Sequence, residues 1–507
     1  MGKLFKAVFY VTLFSVLTRA LGFLLRIYLS RVLGAELLGS YQVAMSVFSV
    51  LLTLIASGLP TVIGRTVANL QSKGNISTSH RYVTSGLIFA LSISILASAF
   101  ILLFPQLLNL IFTSPNSTNI VLLLLPGLVS SSIYTILRGA LWGEKHFFTI
   151  SFAEFFEQLI RIFILIILVA LPLKLGLDER AALSLSIACV ISMLFVIIMY
   201  LAFGGKLGNP KTTLIPLIKK SSPITAVRTI SNIVTSAISL IIPIRLMLYG
   251  LSSSEALAEY GIIMGMSFPL LMVPSTLIGS ISVAMVPEIS EQTTNIDVEV
   301  KNHTTLSNQI VFSIGITLII SFILFPAFLV LGPQIGTFLY ANTKSGLYLS
   351  YASFLMIPLG LSQITGSILN AIGLELKSLK NSAISALLLF LSIYFLPKYI
   401  GIWALILGMA LLSVTQSALN LLMLSKRKLL NAKVFKILVS LSLISLPTII
   451  ITKLISKLCF KILPMFFALS VSGLIAVLIF AMLTYIFNIA NVQTFIYKKR
   501  KKLVKNV

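Results

Sequence analysis

The sequence is poor in acidic residues, histidine, cysteine and tryptophan, and these shortages exclude several classes of protein. It holds 13 Asp and Glu against 38 Lys and Arg, with 3 His, 2 Cys and 2 Trp in 507 residues. Cys189 and Cys459 lie in apolar segments and predict neither a disulfide framework nor a metal site. The histidines are scattered through predicted loops without ligand spacing. No P-loop, dinucleotide fingerprint or Ser-His-Asp order occurs, so we predict no enzyme and no cofactor.

Long polar stretches are also missing. Hydrophobic residues make up 58% of the chain and charged ones 10%, with a mean hydropathy of +1.06. A soluble domain could not hide that much apolar surface, so the composition predicts an all-α polytopic membrane protein. The net charge of +25 does not predict nucleic-acid binding, because most basic residues sit in short loops beside apolar spans. The loops leave no room for a nucleotide-binding domain, which argues against ATP hydrolysis.

About fourteen transmembrane helices are predicted, at the usual length of about 17–25 residues. Their approximate positions are 8–33, 37–64, 82–104, 119–141, 151–172, 182–203, 221–249, 256–285, 306–331, 346–370, 380–397, 400–424, 434–456 and 463–489.

Basic residues concentrate at both ends of the chain and in alternate loops, outnumbering those of the opposite loops by about three to one, which predicts that both termini are cytoplasmic. The tail KKRKK at 498–502 has two interpretations. It lies against anionic lipid headgroups, or it is a solvated tail that only sets topology.

An internal repeat relates spans one and two to spans seven and eight. A gapless shift aligns Arg26 with Arg245, Glu36 with Glu255, Tyr41 with Tyr260, Met45 with Met264, and Leu51-Leu52 with Leu270-Leu271. An even number of spans separates the copies, so both enter the membrane in the same direction, as in many secondary transporters. We predict an N-lobe of spans 1–6 over 1–205, a C-lobe of spans 7–12 over 206–425, and two further spans with the tail over 426–507.

Arginines lie inside these apolar spans, where a cation is costly unless it faces water, a partner or a ligand. Arg19 and Arg26 share one face of span one. In span seven, Arg228 and Asn232 belong to a polar stripe, and Arg245 follows. We expect the two opening helices to face each other and to line an anion-selective cavity, because guanidinium groups bind phosphate oxygens bidentately. The alternative is that the arginines snorkel to the nearer interface.

Span five holds Glu154, Glu157 and Arg161. Glu157 and Arg161 have the favourable i,i+4 spacing of a structural ion pair that shields both charges from lipid. The other interpretation is that a glutamate binds a coupling H⁺ or Na⁺, or the sugar of a substrate.

Three stretches carry a resemblance to a known family. They are TRALGFLLRIYLSRVLG at 18–34 with the following LLGSYQVAMSVFSVLLTLIASGLPTVIGR at 37–65, LRGALWGEKHFFTISFAEFFEQLIRI at 137–162, and EALAEYGIIMGMSFPLLMVPSTLIGSISVAMVPEISE at 255–291. These resemble the stage V sporulation protein B-like polysaccharide exporters. That branch belongs to the multidrug/oligosaccharidyl-lipid/polysaccharide exporter superfamily.

The resemblance implies two six-helix lobes in a bacterial plasma membrane, moving undecaprenyl-diphosphate-linked saccharides between leaflets. The lipid II flippase of peptidoglycan synthesis belongs to the same superfamily, and Arg19 in TRALGF matches the cavity arginine of its first span. That flippase has Arg-Asp where this chain has Leu25-Arg26, so Arg26 is shifted by one position and the acid is missing. Spans thirteen and fourteen are implied to hold the lipid tail.

Three hypotheses follow for the function. The first is a flippase for lipid-linked saccharides of the cell wall or capsule, working by alternating access in vegetative or sporulating cells. The second is an ion-coupled multidrug antiporter of the same fold, although span one has no carboxylate for a cationic drug. The third is a membrane scaffold that recruits cell-wall synthesis enzymes, which would leave the intramembrane arginines without a ligand.

Overall fold

The computed structural model describes residues 2–294 and 300–489, and within these ranges the chain forms helices and no strand. The tail at 498–502 lies outside the described residues. The helices pack into two compact units, Met1–Gly261 and Ile262–Val507. The predicted all-α, polytopic fold class is confirmed.

The described part of the first unit contains nine helices. They are α1 (Gly2–Ala56), α2 (Leu59–Ser72), α3 (Ile76–Leu103), α4 (Gln106–Asn109), α5 (Pro115–Gly143), α6 (Phe147–Ala170), α7 (Leu177–Ala202), α8 (Leu214–Met247) and α9 (Ser253–Tyr260). In an apolar solvent a helix is favoured because it satisfies its backbone polar groups internally.

Helix α1 is two membrane spans joined by one residue. Its 55 residues would measure about 80 Å if straight, far more than the ~30 Å of hydrocarbon. Gly34 breaks the helix with φ 70° and ψ −174°. Side chains other than hydrogen strongly disfavour that conformation, so a glycine lets the chain reverse here without a longer loop.

Small residues bring the helices of the first unit close together. A Cβ on Gly139 would lie 2.7 Å from the Pro60 carbonyl oxygen, and one on Gly143 would lie 2.6 Å from that of Gly64. Helices α2 and α5 therefore touch backbone to backbone, as small residues allow in membrane bundles.

The described part of the second unit continues from a π-helical segment, Gly261–Ser267, that joins α9 to α10. Its helices are α10 (Phe268–Leu271), α11 (Val273–Thr294), α12 (Val300–Tyr340), α13 (Thr343–Ala352), α14 (Met356–Ala371), α15 (Glu375–Phe395), α16 (Pro397–Ile400), α17 (Trp403–Lys426), α18 (Lys433–Ile462) and α19 (Met465–Ile486). The eighth span bends by 46° between Leu271 and Val273.

The core of the second unit is hydrophobic and includes Ile310, Ile314, Leu369 and Phe480. A chain of uncharged polar side chains is buried within it: the Asn381 side-chain amide donates to the Asn420 Oδ1 at 2.9 Å, and Asn420 donates to Thr365 at 3.1 Å. Helices α18 and α19, the predicted spans thirteen and fourteen, pack against α12.

The described helices are compatible with fourteen spans. Eleven are long and apolar enough to cross a membrane, or twelve with the bent pair, and that count takes Phe9–Ser72 as one span. Gly34 divides this stretch into two, and α6 carries three charges that exclude it from the count. The predicted lobe boundaries at 205 and 425 stay predictions, and in this structure α8 packs within the first unit.

Candidate functional site

The polar stripe of span seven lies along span two, the second half of α1. Four residues of α8 make the contacts, in antiparallel order: Thr225 with the Gly58 N–H, Arg228 with the Ser57 carbonyl, Asn232 with the Thr53 and Ser49 hydroxyls, and Ser236 with the Ser46 carbonyl. The expectation was that span seven faces span one. These bonds tie its polar face to span two, and the prediction that span seven also faces span one stays a prediction.

Arg228 binds the protein backbone at the junction between α1 and α2. One of its Nη atoms donates to the Ser57 carbonyl oxygen at 2.5 Å. Carbonyl groups at a helix end lack intrahelical partners, and inside a membrane water cannot replace them. Arg228 therefore stabilises a helix junction in this conformation.

Gly58 allows the junction to approach α8. Its backbone N–H donates to Thr225 Oγ1 at 3.2 Å. A Cβ at this position would lie 2.4 Å from that oxygen and 2.5 Å from the Ser221 carbonyl oxygen. Any larger residue would push α8 away from the end of span two.

Arg19 and Arg26 lie on a face of span one that is open. Both side chains are exposed, and a Cβ on Gly22, one turn from each, would meet nothing within 4 Å. Arg19 makes no hydrogen bond or ion pair with the described residues. Arg245, the repeat counterpart of Arg26, is half-buried near the end of α8.

A charged network joins α5, α6 and span two. Arg138 of α5 forms an ion pair with Glu154 of α6. Arg161 of α6 donates from Nη2 to the hydroxyl of Tyr41 at 2.5 Å, and Tyr41 is buried. The sequence does not reveal Arg138 and Tyr41 as partners in this network, although Tyr41 is one of the positions shared by the internal repeat.

The network differs from the expected Glu157–Arg161 ion pair. No pair within 4.0 Å joins these two side chains, both of which are described. The physical reason is that Arg161 reaches across to the Tyr41 hydroxyl on a neighbouring helix. Spacing along one helix cannot predict a partner on another.

Three buried polar atoms on α5 and α6, one of them on Arg161 of this network, have no hydrogen-bond partner among the described residues. They are the Tyr134 hydroxyl, Gln158 Oε1 and Arg161 Nε. Buried polar atoms are normally satisfied, because leaving one unpaired costs about 1–3 kcal/mol. The network therefore has the capacity to bind a further polar group.

The matching tyrosines of the two repeat copies have different polar partners. Tyr41 and Tyr260 are both buried. Tyr41 accepts a hydrogen bond from the guanidinium of Arg161, whereas the polar neighbour of Tyr260 is the Ser239 side chain. The repeat keeps the aromatic core position, but only the first copy gives it a cation.

Across residues 2–294 and 300–489, no group of three His, Cys, Asp or Glu side chains is placed to hold a metal ion.

Helix count and intramembrane cations agree with the fold of the exporters that the sequence resembles. Residues 4–293 match the family described as polysaccharide biosynthesis protein. The chain belongs to this family, so the family resemblance predicted from the sequence is confirmed.

Among curated proteins, the chain is similar to stage V sporulation protein B of Bacillus subtilis (strain 168). The two are 25% identical over 290 residues, which is 55% of this chain and 56% of that protein. The chain thus matches about half the length of this relative.

Solved structures share the fold. The lipid II flippase MurJ in an inward closed conformation matches 94% of this chain and 98% of its own, with a TM-score of 0.69 and 18% identity. An inward-facing multidrug resistance MATE family transporter matches 81% of this chain and 94% of its own, with a TM-score of 0.62 and 16% identity.

Proposed function

We propose that the protein is a flippase that carries an undecaprenyl-diphosphate-linked saccharide from the inner to the outer leaflet of a bacterial plasma membrane. Arg19, Arg26, Arg228, Arg245 and Asn232 hold the diphosphate, and the polyprenyl tail stays in lipid. A diphosphate is dianionic, so a cationic path through the membrane lowers the cost of moving it.

The observation that carries this proposal is the open cationic face of span one. Arg19 has no hydrogen bond or ion pair to the described residues, and open space lies beside it at Gly22. No carboxylate occurs from Gly2 to Leu33, so the span itself offers Arg19 no counter-charge. An anionic ligand supplies that missing counter-charge.

Arg228 and Asn232 have a second role in the proposal. Both are bonded to span two in this conformation. For them to bind substrate, these bonds must break as the helices move during alternating access. The exchange of a protein acceptor for phosphate oxygens is then part of the conformational cycle.

Topology and coupling complete the proposal. Both termini are cytoplasmic by the distribution of basic residues. Glu154, Glu157 and Arg161 belong to the network that couples transport to H⁺ or Na⁺, which is supported by its unpaired buried polar atoms. Glu157, which has no ion-pair partner within 4.0 Å among the described residues, also favours a second candidate, a cation-coupled multidrug antiporter.

The test is reconstitution of the full chain in liposomes that contain fluorescent lipid II or another diphosphate-linked lipid, scoring leaflet exchange. We expect exchange by the wild type, and none by Arg26→Ala or Arg245→Ala although both reach the membrane. Arg427→Ala is the matched control, because Arg427 is an exposed arginine at the end of α17 in the second unit.

Two outcomes would overturn the proposal. Full exchange by both variants would remove the arginines from the substrate site. Exchange of no diphosphate lipid, together with export of a cationic dye from the same vesicles, would establish the antiporter instead.

A further inference from the structure

A cavity of about 440 Å³ opens at one end of the first unit, between α2, α3 and α8. Its polar lining residues are Arg65, Thr66, Asn69, Tyr82 and Lys220, and none of the residues that line it is acidic. Its volume falls within the range of about 300–1,000 Å³ that is usual for small-molecule sites. It is separate from the arginines of span one.

Contacts with neighbouring helices hold the walls of this cavity apart. Helices α2 and α8 meet closely at Gly58 and Thr225. Beyond that contact α2 is drawn toward α5 by backbone contacts at Gly64. The start of α8 is held by α3, where the Ser85 and Thr213 hydroxyls lie 2.6 Å apart. Helices α2 and α8 therefore diverge beyond their contact at Gly58 and Thr225.

Arg65 and Lys220 face the same space from opposite walls. The antiparallel order of the α8 contacts brings them to the same level, and both line the cavity. Neither side chain makes a hydrogen bond or ion pair with the described residues. Like charges that share a cavity repel, and an anion between them turns that repulsion into attraction.

The cavity lies near the boundary between the lipid headgroups and the hydrocarbon core. Helix α3 has 28 residues, or about 42 Å, so it extends roughly 6 Å beyond each side of a ~30 Å hydrocarbon core if centred. Tyr82 lies six residues from its start, about 9 Å along the axis, and tyrosine is common at membrane interfaces. Lys220 lies at a similar distance from the start of α8.

We infer that this cavity binds the diphosphate group of a membrane lipid at the headgroup level, on the side predicted to be cytoplasmic. Arg65 and Lys220 supply two positive charges, while Thr66, Asn69 and Tyr82 offer neutral donors. The site loads the substrate before it reaches Arg19 and Arg26. This inference deepens the proposed function and rests on it for the identity of the lipid.

The test uses the full chain in nanodiscs of neutral phosphatidylcholine, titrated with fluorescent farnesyl diphosphate. We expect binding that weakens about tenfold for each cation removed, in Arg65→Gln, Lys220→Gln and the double variant. Lys219→Gln is the matched control, since Lys219 is an exposed neighbour that does not line the cavity. Equal binding by wild type and double variant would overturn the inference.

A second variant guards against misfolding. Asn69→Asp is nearly isosteric at an exposed position and places a carboxylate inside the cavity, so we expect it to abolish binding while the elution volume and melting temperature stay unchanged. Unchanged affinity in a folded Asn69→Asp protein would contradict the site. An equal loss in Lys219→Gln would show that binding depends on surface charge in general.

Competition distinguishes the sources of phosphate. We expect unlabelled farnesyl diphosphate to displace the probe, with farnesyl monophosphate weaker and farnesol inactive. Equal displacement by phosphatidylglycerol would assign the cavity to bulk anionic phospholipid, and equal displacement by inorganic diphosphate would assign it to a soluble anion. Either result would overturn the inference that the cavity binds a lipid diphosphate.

Failure of this inference is distinguishable from failure of the proposed function. If the Arg65→Gln, Lys220→Gln double variant binds the probe normally while the wild type exchanges lipid, only the inferred loading site is rejected. If the wild type binds the probe through Arg65 and Lys220 but exchanges no lipid, only the flippase proposal falls.

Discussion

Two groups of cations share the first compact unit, and they differ in what they contact. Arg138, Arg161 and Arg228 are bonded inside the protein, to a carboxylate, a tyrosine hydroxyl and a backbone carbonyl. Arg19, Arg65 and Lys220 form the second group, and they make no hydrogen bond or ion pair with the described residues.

The difference separates cations that build the fold from cations available to a ligand. A charge near hydrocarbon is stabilised by a partner or by access to water. The bonded group has its partners in the helices around it, so its removal should lower stability. The unbonded group lacks a protein counter-charge, so its removal should affect an anionic substrate and leave stability nearly unchanged.

Among variants of these two groups, the largest expected effect is on transport by Arg19→Ala. Loss of a charge-assisted contact of about 3 kcal/mol should lower the leaflet exchange rate about 100-fold, with an unchanged melting temperature. Arg19→Lys should recover part of the rate, because the charge remains while the bidentate geometry is lost. A lowered melting temperature in Arg19→Ala would show that Arg19 stabilises the fold, as the bonded cations do.

The bonded group is tested by a double-mutant cycle on Arg138 and Glu154. Arg138→Leu and Glu154→Leu each leave one charge without its partner, so each should be less stable than the Leu-Leu double variant. We expect an interaction free energy of about 0.5–3 kcal/mol from unfolding in detergent. Additive single effects would show that the ion pair contributes nothing.

A smaller effect is expected for Arg228→Gln. Glutamine can still donate to the Ser57 carbonyl but without charge, and the site is exposed, so unfolding free energy should fall by about 1 kcal/mol. Exchange should fall less than in Arg19→Ala. A larger transport loss than in Arg19→Ala, at full stability, would reverse the assignment of the two residues.

The smallest effect concerns Glu144, which lies between α5 and α6 and outside both helices. Burial raises the pKa of its carboxyl from 4.5 to about 6. The folded protein thus binds the proton more tightly than the unfolded chain, so this group's contribution to stability is lost as pH rises from about 4.5 to 6.

Glu144→Gln should remove that loss. Because the group is partly exposed, we expect a gain of about 1 kcal/mol or less at neutral pH and none near pH 4, with leaflet exchange unchanged. Thermal unfolding at several pH values measures it. A gain that is independent of pH would attribute the effect to packing and not to charge.

The sequence predicted the helical class and most spans, because apolar length acts locally. The break at Ser57–Gly58 is followed by Pro60, and the bend after Leu271 lies near Pro274, so local residue types also account for these two positions. What the sequence missed depends on contacts between distant helices. The Tyr41–Arg161 hydrogen bond depends on how each of the two helices is oriented about its own axis, and hydropathy does not encode that orientation.

The cavity at the helix ends shows the same limit. In the sequence, Lys220 counts only as a topology charge and Arg65 as the end of a span. Their common cavity depends on the register of α8 against span two and on the glycines that hold α2 to α5. Both are properties of tertiary packing, and neither leaves a local motif.

The central claim is that the unbonded cations select for diphosphate charge. The most direct measurement compares leaflet exchange of three lipids that share one tail and differ only in carrying a diphosphate, a monophosphate or a neutral headgroup. For the wild type we predict the fastest exchange of the diphosphate and the slowest of the neutral lipid, with this order lost in Arg19→Ala. Equal exchange of all three lipids by the wild type would contradict the account.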